Sequence, residues 1–342
     1  MSDTPSKLPA LRNPAPKKTS APEDPDRRVV LRVGSAVMIA GAAGLGTYTF
    51  YDRDKPIRSR RDPDRIIADH RIKVPPTTPK MIIARGKDPK KNTEAALARI
   101  GGMKLFVQKG DVVLIKPNVG WNRRPAQAAD TNPHVVGAVV RACKEAGAKE
   151  IWVTDCPVNN PERCFKRSGI LDAVREAGGR VILPSRSRFV MVRIPGKLGR
   201  WPVLEPFVKA TKLINIPVAK HHSLTHATVG MKNWYGILGG QRNRLHQRID
   251  DSIAELAALM RPTLTVVDAT RLLLRNGPTG GSLADVKIEN ALAVSIDPIA
   301  ADAWGAELIG AELDKLSWLI KGQQKKLGVI DYKSLNPIEI KV

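Results

Sequence analysis

From residue 79 onward, short runs of β-branched and aliphatic residues alternate with stretches of helical periodicity. The short runs predict strands at 81–84, 112–115, 151–154, 181–183, 213–216, 264–267 and 292–296. Proline and glycine punctuate the stretches between them: Pro133 opens one helix, Gly147 stops it, and Pro298 opens another. Strands that alternate with helices in this way are typical of an α/β domain with a mainly parallel sheet.

The alternation continues without an internal repeat, so residues 79–342 are predicted to form a single α/β domain. Its sheet is expected to be open and Rossmann-like, with helices on its faces. Residues 185–200 lack helical periodicity and predict a β-hairpin or flap beside the sheet. Helix N-caps are predicted at Asn92 and at Asp250 or Asp251.

The first 51 residues have a different composition, which predicts a targeting segment rather than a folded domain. Residues 1–28 are rich in proline, lysine, serine and aspartate, which predicts disorder, and they end on Arg27-Arg28. Residues 29–51 are hydrophobic, and a paired arginine before such a run resembles a twin-arginine export signal. The uncharged stretch 33–50 could also span a bilayer as a helix. Both readings stay open, but no small-x-small cleavage site follows, which favours an uncleaved anchor.

Residues 52–78 are predicted to be a charged linker, whose Arg58, Arg60 and Arg61 could lie on acidic headgroups. The N-terminal segments together predict a membrane partner and an inner-membrane-anchored or periplasmic, extracytoplasmic location.

The formal net charge is +23, and only +3 of it falls in residues 1–51. Such a surplus attracts anions, although a generally basic proteome or solubility would account for it equally well. The sequence has no zinc finger or aromatic RNA-binding motif, so nucleic acid is a minor hypothesis. Cys143, Cys156 and Cys164 lack the spacing of a zinc or iron–sulfur site, and Cys156 and Cys164 could pair or stay reduced.

Polar residues follow five of the predicted strands directly. They are Lys116-Pro117-Asn118, Asp155, Lys220-His221-His222, Asp268 and Asp297-Pro298. Ligands of open α/β sheets bind at the carboxyl ends of the strands, so the set predicts a site at one edge. A single aspartate there is more often a helix cap or a turn former, and Asp297 before a proline is the clearest such case.

Histidines cluster in the segment after the strand predicted at 213–216. Among His221, His222, His226 and His246 lie Lys220, Lys232 and Asn233. Imidazole and carboxylate suit a divalent metal, whereas lysine and asparagine suit an anion. The spacing is not that of a His-Glu-x-x-His metalloprotease, and ordinary hydrogen-bonding histidines are the alternative. The chain has no G-x-G-x-x-G dinucleotide motif and no G-x-S-x-G nucleophile motif.

Several of these residues occur in ordered motifs that resemble the "domain of unknown function 362" family over about residues 80–312. The motifs are 115–118, 131–133, 215–217 with Lys220 and His222, 230–233 with Gly236, 267–268, 277–278, and 295–298 with Asp302. Many members of that family look like iron–sulfur-associated proteins, and some carry twin-arginine signals. The resemblance therefore implies an iron–sulfur or other redox protein as a partner. This chain lacks the cysteine quartet of cluster-bearing relatives, so it is expected to bind no cluster by itself.

The sequence thus predicts a cleft for a small anionic ligand, with or without a divalent metal, in an enzyme or in an accessory to an iron–sulfur redox system. His222, Lys220 and Lys232 are the predicted catalytic residues, and the predicted ligand-binding residues are Lys116, Asn118, Thr131 and Asn233. The predicted metal ligands are His222, His246, Asp155, Asp268 and Asp297. Two alternatives are a non-catalytic membrane-tethered module that docks on a partner complex, and a charge-driven binder of anionic lipid or nucleic acid.

Overall fold

A computed structural model describes residues 64–342. The disordered segment, the twin-arginine pair and the hydrophobic segment predicted within residues 1–51 lie outside the described residues. Within 64–342, no helix is both long enough and apolar enough to cross a membrane.

The strands fall into one large sheet and one small one. In chain order they are β1 Met81–Arg85, β2 Val112–Pro117, β3 Glu150–Val153, β4 Arg180–Val181, β5 Phe189–Ile194, β6 Gly199–Leu204, β7 Lys212–Ile216, β8 Val218–His222, β9 His226–Thr228, β10 Leu264–Leu273, β11 Val286–Ser295 and β12 Ile338–Lys341. The large sheet runs β12-β1-β11-β10-β7-β2-β3-β4, with β8 beside the far half of β10 and β9 beside β8. Its neighbours in that row are parallel except β11, which is antiparallel to both β1 and β10.

Helices cover both faces of the large sheet. They are α1 Pro89–Arg99, α2 Pro133–Glu145, α3 Pro161–Arg167, α4 Ile170–Glu176, α5 Pro206–Lys209, α6 Gly230–Asn233, α7 Ile249–Leu259, α8 Pro298–Leu308 and α9 Ser317–Gln324. Adjacent strand residues point to opposite faces, so Ile82 packs in one core with α1 and α2, and Ile83 packs in another with α7 and α8. This arrangement confirms the predicted α/β class and the mainly parallel sheet flanked by helices.

The predicted hairpin is present as β5 and β6, which pair in antiparallel register from Phe189↔Leu204 to Ile194↔Gly199. It begins and ends about four residues later than predicted, because the turn falls at 195–198, where Gly196 has a φ of 89°. Helix starts also shift: α1 is capped by Asp88, and Asn92 lies inside it. Helix α7 begins at Ile249, so Asp250 and Asp251 form its first turn rather than its cap.

The strand predicted at 292–296 is the second half of a long hairpin. Strand β11 pairs with β10 from Thr265↔Ser295 to Leu273↔Val286, and its amino-terminal half extends beyond β1. It therefore runs opposite to the parallel strands, and its carboxyl end lies where β10 begins. The prediction that Asp297 joins the other four strand-end groups is wrong, since Asp297 follows β11 and lies at the opposite edge.

Candidate functional site

Lys116 lies at the end of β2 and is completely buried. Its ammonium group forms an ion pair with Asp155 at 2.7 Å and donates to the Pro117 carbonyl at 2.9 Å and to Asn233 Oδ1 at 2.8 Å. Burial lowers the pKa of Lys116, and the adjacent Asp155 carboxylate opposes that shift. Four apolar residues precede Lys116 in β2, so the strand buries this lysine near its carboxyl end together with the core.

Asp155 follows β3, and three donors contact its carboxylate. Besides Lys116, the backbone N–H groups of Val119 at 2.6 Å and Cys156 at 2.9 Å donate to its carboxylate. The backbone of Gly236 closes over this ion pair: a Cβ added there would lie 1.8 Å from Asp155 Oδ1 and 2.7 Å from Lys116 Nζ. Asp155 is thus tied to the ends of β2 and β3, and a glycine is required above it.

A chain of side-chain hydrogen bonds joins the ends of β2, β7 and β8. Asn118 donates to Asn233 Oδ1 at 3.0 Å and accepts from Lys220 Nζ at 3.0 Å. Asn233 also donates to Asn215 Oδ1 at 2.8 Å, and Lys220 donates to the Ala129 carbonyl at 2.5 Å. The structure therefore brings together four predicted site residues, Lys116, Asn118, Lys220 and Asn233.

Lys232 lies beside this network on α6 with 8% of its surface exposed. Its ammonium group lies 3.7 Å from the centroid of the Tyr235 ring. Across residues 64–342 no oxygen accepts a hydrogen bond from it, which sets it apart from Lys116 and Lys220. Burial, together with the like charges of Arg242 and Lys220, lowers the pKa of Lys232 to about 7.

Helix α6 is positioned by Asp302, a buried residue of α8. Its carboxylate accepts from the backbone N–H groups of Gly230 at 2.7 Å and Met231 at 2.8 Å, and burial raises the pKa of Asp302 to about 7. A Cβ at position 230 would lie 2.6 Å from Asp302 Oδ1. This contact fixes the short helix that carries Lys232 and Asn233.

Arg242 and Asp130 are buried here although the sequence did not single them out. Arg242 donates to the carbonyls of Cys156 at 2.7 Å and Pro157 at 3.0 Å. Asp130 Oδ1 accepts from the Trp121 N–H at 3.0 Å, whereas its Oδ2 is buried without a hydrogen-bond partner. Burial raises the pKa of Asp130, and the nearby Lys220 opposes that shift.

Cationic side chains predominate at this edge. Four of them act on one another, namely Lys116, Lys220, Lys232 and Arg242, and the buried carboxylates at the edge are Asp130, Asp155 and Asp268. Lys116 and Lys220 donate to oxygens of the network, whereas Lys232 donates to none among the described residues, so this place favours an anion that supplies the missing acceptor.

His222 is buried with its ring close to Lys232 and Lys220. Its Nδ1 accepts from the backbone N–H of Leu224 at 3.1 Å, which places the ring proton on Nε2. Burial, and then the neighbouring Lys232 and Lys220, holds the pKa of His222 well below its usual range. The ring is therefore a neutral hydrogen-bond donor at physiological pH.

The five predicted metal ligands are not brought together. His246 is exposed and stacks on Tyr235 at a centroid distance of 5.8 Å. Asp268 accepts from Asn132 N at 2.7 Å and Thr270 Oγ1 at 2.7 Å. Asp297 caps α8 at the opposite edge of the sheet. In the described part of the chain, no group of three or more His, Cys, Asp or Glu residues is placed to hold a metal ion.

Thr131 was predicted to bind ligand, but its hydroxyl group forms hydrogen bonds with backbone groups. It donates to the Ile216 carbonyl at 2.7 Å and accepts from Asn118 N at 2.8 Å, so it fastens the loop after β2 to the end of β7. The three cysteines are buried, and Cys156 and Cys164 form no disulfide.

Comparison with known proteins places these residues in a family. The family model described as "Domain of unknown function (DUF362)" matches residues 113–307. A thylakoid-associated protein of Synechocystis sp. is 28% identical over 250 residues, which cover 68% of this chain and 73% of that protein. The lactate racemase apoprotein of Thermoanaerobacterium thermosaccharolyticum is 14% identical with a TM-score of 0.39. That match covers 71% of this chain and 61% of the racemase chain, so it spans less than two thirds of that structure. Because the family model matches more than half of the sequence, the protein belongs to the domain of unknown function 362 family.

Proposed function

We propose that this protein binds a small anionic ligand at the carboxyl edge of its sheet. In this proposal the ammonium group of Lys232 forms an ion pair with the ligand. The observation that carries the proposal is Lys232, a buried residue whose ammonium group has no acceptor among the described residues and lies beside two further cations, Lys220 and Arg242. Lys116 has its carboxylate in Asp155. Within residues 64–342 the Lys232 ammonium group contacts the ring of Tyr235 instead, which leaves its hydrogen-bond donors for a ligand.

The neighbours of Lys232 suit acid–base chemistry on a bound anion. An amine with a pKa of about 7 holds and releases a proton near neutral pH, as general acids and bases must. His222 offers a neutral Nε2–H that can donate to an oxyanion. In this proposal Lys116, Asn118 and Asn233 hold the site in shape, and Lys232 and His222 face the reacting group.

Calorimetric titration with sulfate, inorganic phosphate and malonate tests the proposal. Lys232→Met should weaken binding of the preferred anion by about ten- to a hundredfold, the usual worth of a charged hydrogen bond. The matched control is Lys104→Met, which removes an exposed lysine and should leave affinity unchanged. Equal binding by the two variants, or no binding of any of the three anions at millimolar concentration, would contradict the proposal. Loss of affinity in both variants with a steep salt dependence would favour the charge-only alternative.

A second candidate role is membrane association. It is supported by the thylakoid-associated relative and by the hydrophobic segment predicted at 29–51. Membranes from cells that express the full chain would be washed with high salt and then with alkaline carbonate. Retention through both washes is expected of an anchor helix, whereas recovery in the soluble fraction before any wash would count against membrane association. A redox partner stays a prediction that rests on the family resemblance.

A further inference from the structure

Three loops at the carboxyl edge of the sheet join into one surface, here called the rim and defined as residues 121–127, 222–226 and 275–284. Arg123 Nε donates to the Thr279 carbonyl at 3.1 Å, and Gln127 donates to the Gly281 carbonyl at 2.8 Å. The N–H of Ser223 donates to the Gly277 carbonyl at 3.3 Å. The three loops are therefore connected around the site, since Asn118, Lys220 and His222 come from the same or adjoining segments.

The rim holds two strongly exposed leucines at loop tips. Leu224 occupies the turn between β8 and β9 with 60% of its surface exposed, and Leu283 lies in the loop between β10 and β11 with 61% exposed. An isolated exposed leucine is ordinary. Two of them on hydrogen-bonded loops beside a polar site give this edge two apolar tips.

The fixed charges of the rim are basic, but one of them is already paired, because Arg275 forms an ion pair with Asp285 just outside the rim. None of its three segments contains an aspartate or a glutamate, and its arginines are Arg123, Arg124 and Arg275. Arg124 and Arg275 are exposed. The adjoining Asp285 is buried, where Asn276 donates to it at 2.8 Å and Arg275 pairs with it at 3.3 Å.

We propose that the rim docks on the surface of an anionic lipid bilayer, with Leu224 and Leu283 entering the headgroup region and Arg124 and Arg275 meeting lipid phosphates. Proteins that bind a membrane surface often combine apolar tips with nearby arginines. The free energy from burying the tips and the free energy from attraction to anionic lipid then both contribute to binding. A protein partner would instead need a contiguous complementary surface of about 800 Å². This inference goes beyond anion binding and does not depend on it.

The experiment uses the full chain with a fluorophore that responds to polarity. Leu224→Cys is labelled in the folded protein, where the native Cys143, Cys156 and Cys164 are buried. The control is Ile66→Cys, since Ile66 is 82% exposed and lies outside the rim. Each protein is mixed with vesicles of phosphatidylcholine, with or without phosphatidylserine. The label at 224 should shift to the blue only with the anionic vesicles, and the label at 66 should not shift.

Arg124→Gln with Arg275→Gln, added to the protein labelled at position 224, should raise the vesicle concentration at half-shift roughly tenfold. Lys232→Met should leave it unchanged, which separates this surface from the anion site. A shift of equal size at 66 and 224 would assign vesicle contact to another part of the chain and overturn the proposal. Absence of any shift at 224 with anionic vesicles would overturn it as well and direct attention to a protein partner.

Discussion

The ammonium group of Lys232 lies 3.7 Å from the centroid of the Tyr235 ring, while its charged neighbours Lys220 and Arg242 carry the same sign. A cation–π contact offsets part of the cost of burying an amine but neutralises none of its charge. Burial and the like charges nearby make this lysine costly to keep protonated. Both its stability effect and its ligand binding should therefore depend on pH.

Folding stability should rise with pH because of Lys232. Its pKa is about 7 in the folded protein against an ordinary 10.5, so between these values the unfolded chain binds more protons. The free energy of unfolding therefore increases with pH in this window, by about 2 to 3 kcal/mol from pH 7 to pH 9. Lys232→Met should lose most of this rise and keep only the part that the lowered pKa of Lys220, about 8, contributes, whereas Lys104→Met should keep all of it. Denaturant unfolding at several pH values measures both, and parallel curves for all three proteins would contradict the assignment.

Anion binding should take up a proton. Sulfate keeps its charge between pH 6 and pH 9, and its approach favours protonated Lys232. Affinity should therefore fall as pH rises above 7, approaching tenfold per pH unit if Lys232 alone titrates. Burial also lowers the pKa of Lys220, which would add to the fall. Calorimetry in buffers of different ionisation enthalpy counts the protons; near pH 8 a heat independent of the buffer would be the contrary result.

Removing one partner of the Lys116–Asp155 ion pair should lower the free energy of unfolding more than replacing both partners with apolar residues. Asp155→Asn leaves a buried ammonium group without its counter-charge and should cost about 3 to 5 kcal/mol of unfolding free energy. Lys116→Met combined with Asp155→Leu should cost less than the sum of the single changes. The exposed pair of Lys90 and Glu94, 3.8 Å apart, is the control, and breaking it should change stability by about 0.5 kcal/mol or less. Additive losses at the buried pair, measured by denaturant unfolding, would show that the two residues act independently.

The strand-end rule correctly predicted that several polar residues converge at one edge of the sheet, whereas their role in binding or catalysis stays a prediction. Lys116, Asn118 and Lys220 follow or end buried apolar runs, and parallel strands deliver their ends to one edge. The same pattern misplaced Asp297, because a local run of apolar residues does not encode strand direction. Direction was decided by the pairing of β11 with β10 in a long hairpin.

Other site residues gave no local signal. Arg242 lies in the polar run 241–248, whose composition is that of an exposed segment, yet it is buried and donates to carbonyls of the segment that follows β3. The sequence also did not show how differently two of the clustered histidines are exposed. Both lie close enough to Lys232 for its charge to act on them, but His222 is buried and His246 is exposed on the ring of Tyr235. Tertiary contacts set these positions, and one sequence does not reveal them.

Gly236→Ala should disturb the ion pair between Lys116 and Asp155. The added methyl group would meet Asp155 Oδ1 at 1.8 Å and Lys116 Nζ at 2.7 Å, so either the backbone that bonds Cys156 or the ion pair must move. We expect a loss of about 3 kcal/mol in the free energy of unfolding, from overpacking and a weakened buried pair. The control is Gly120→Ala, where the nearest atom, Asn118 Oδ1, is 3.8 Å from the added Cβ and the expected change is about 1 kcal/mol or less. If both alanine variants unfold at the same denaturant concentration as the parent, Gly236 does not constrain the ion pair, and the closed packing over Asp155 is not required for stability.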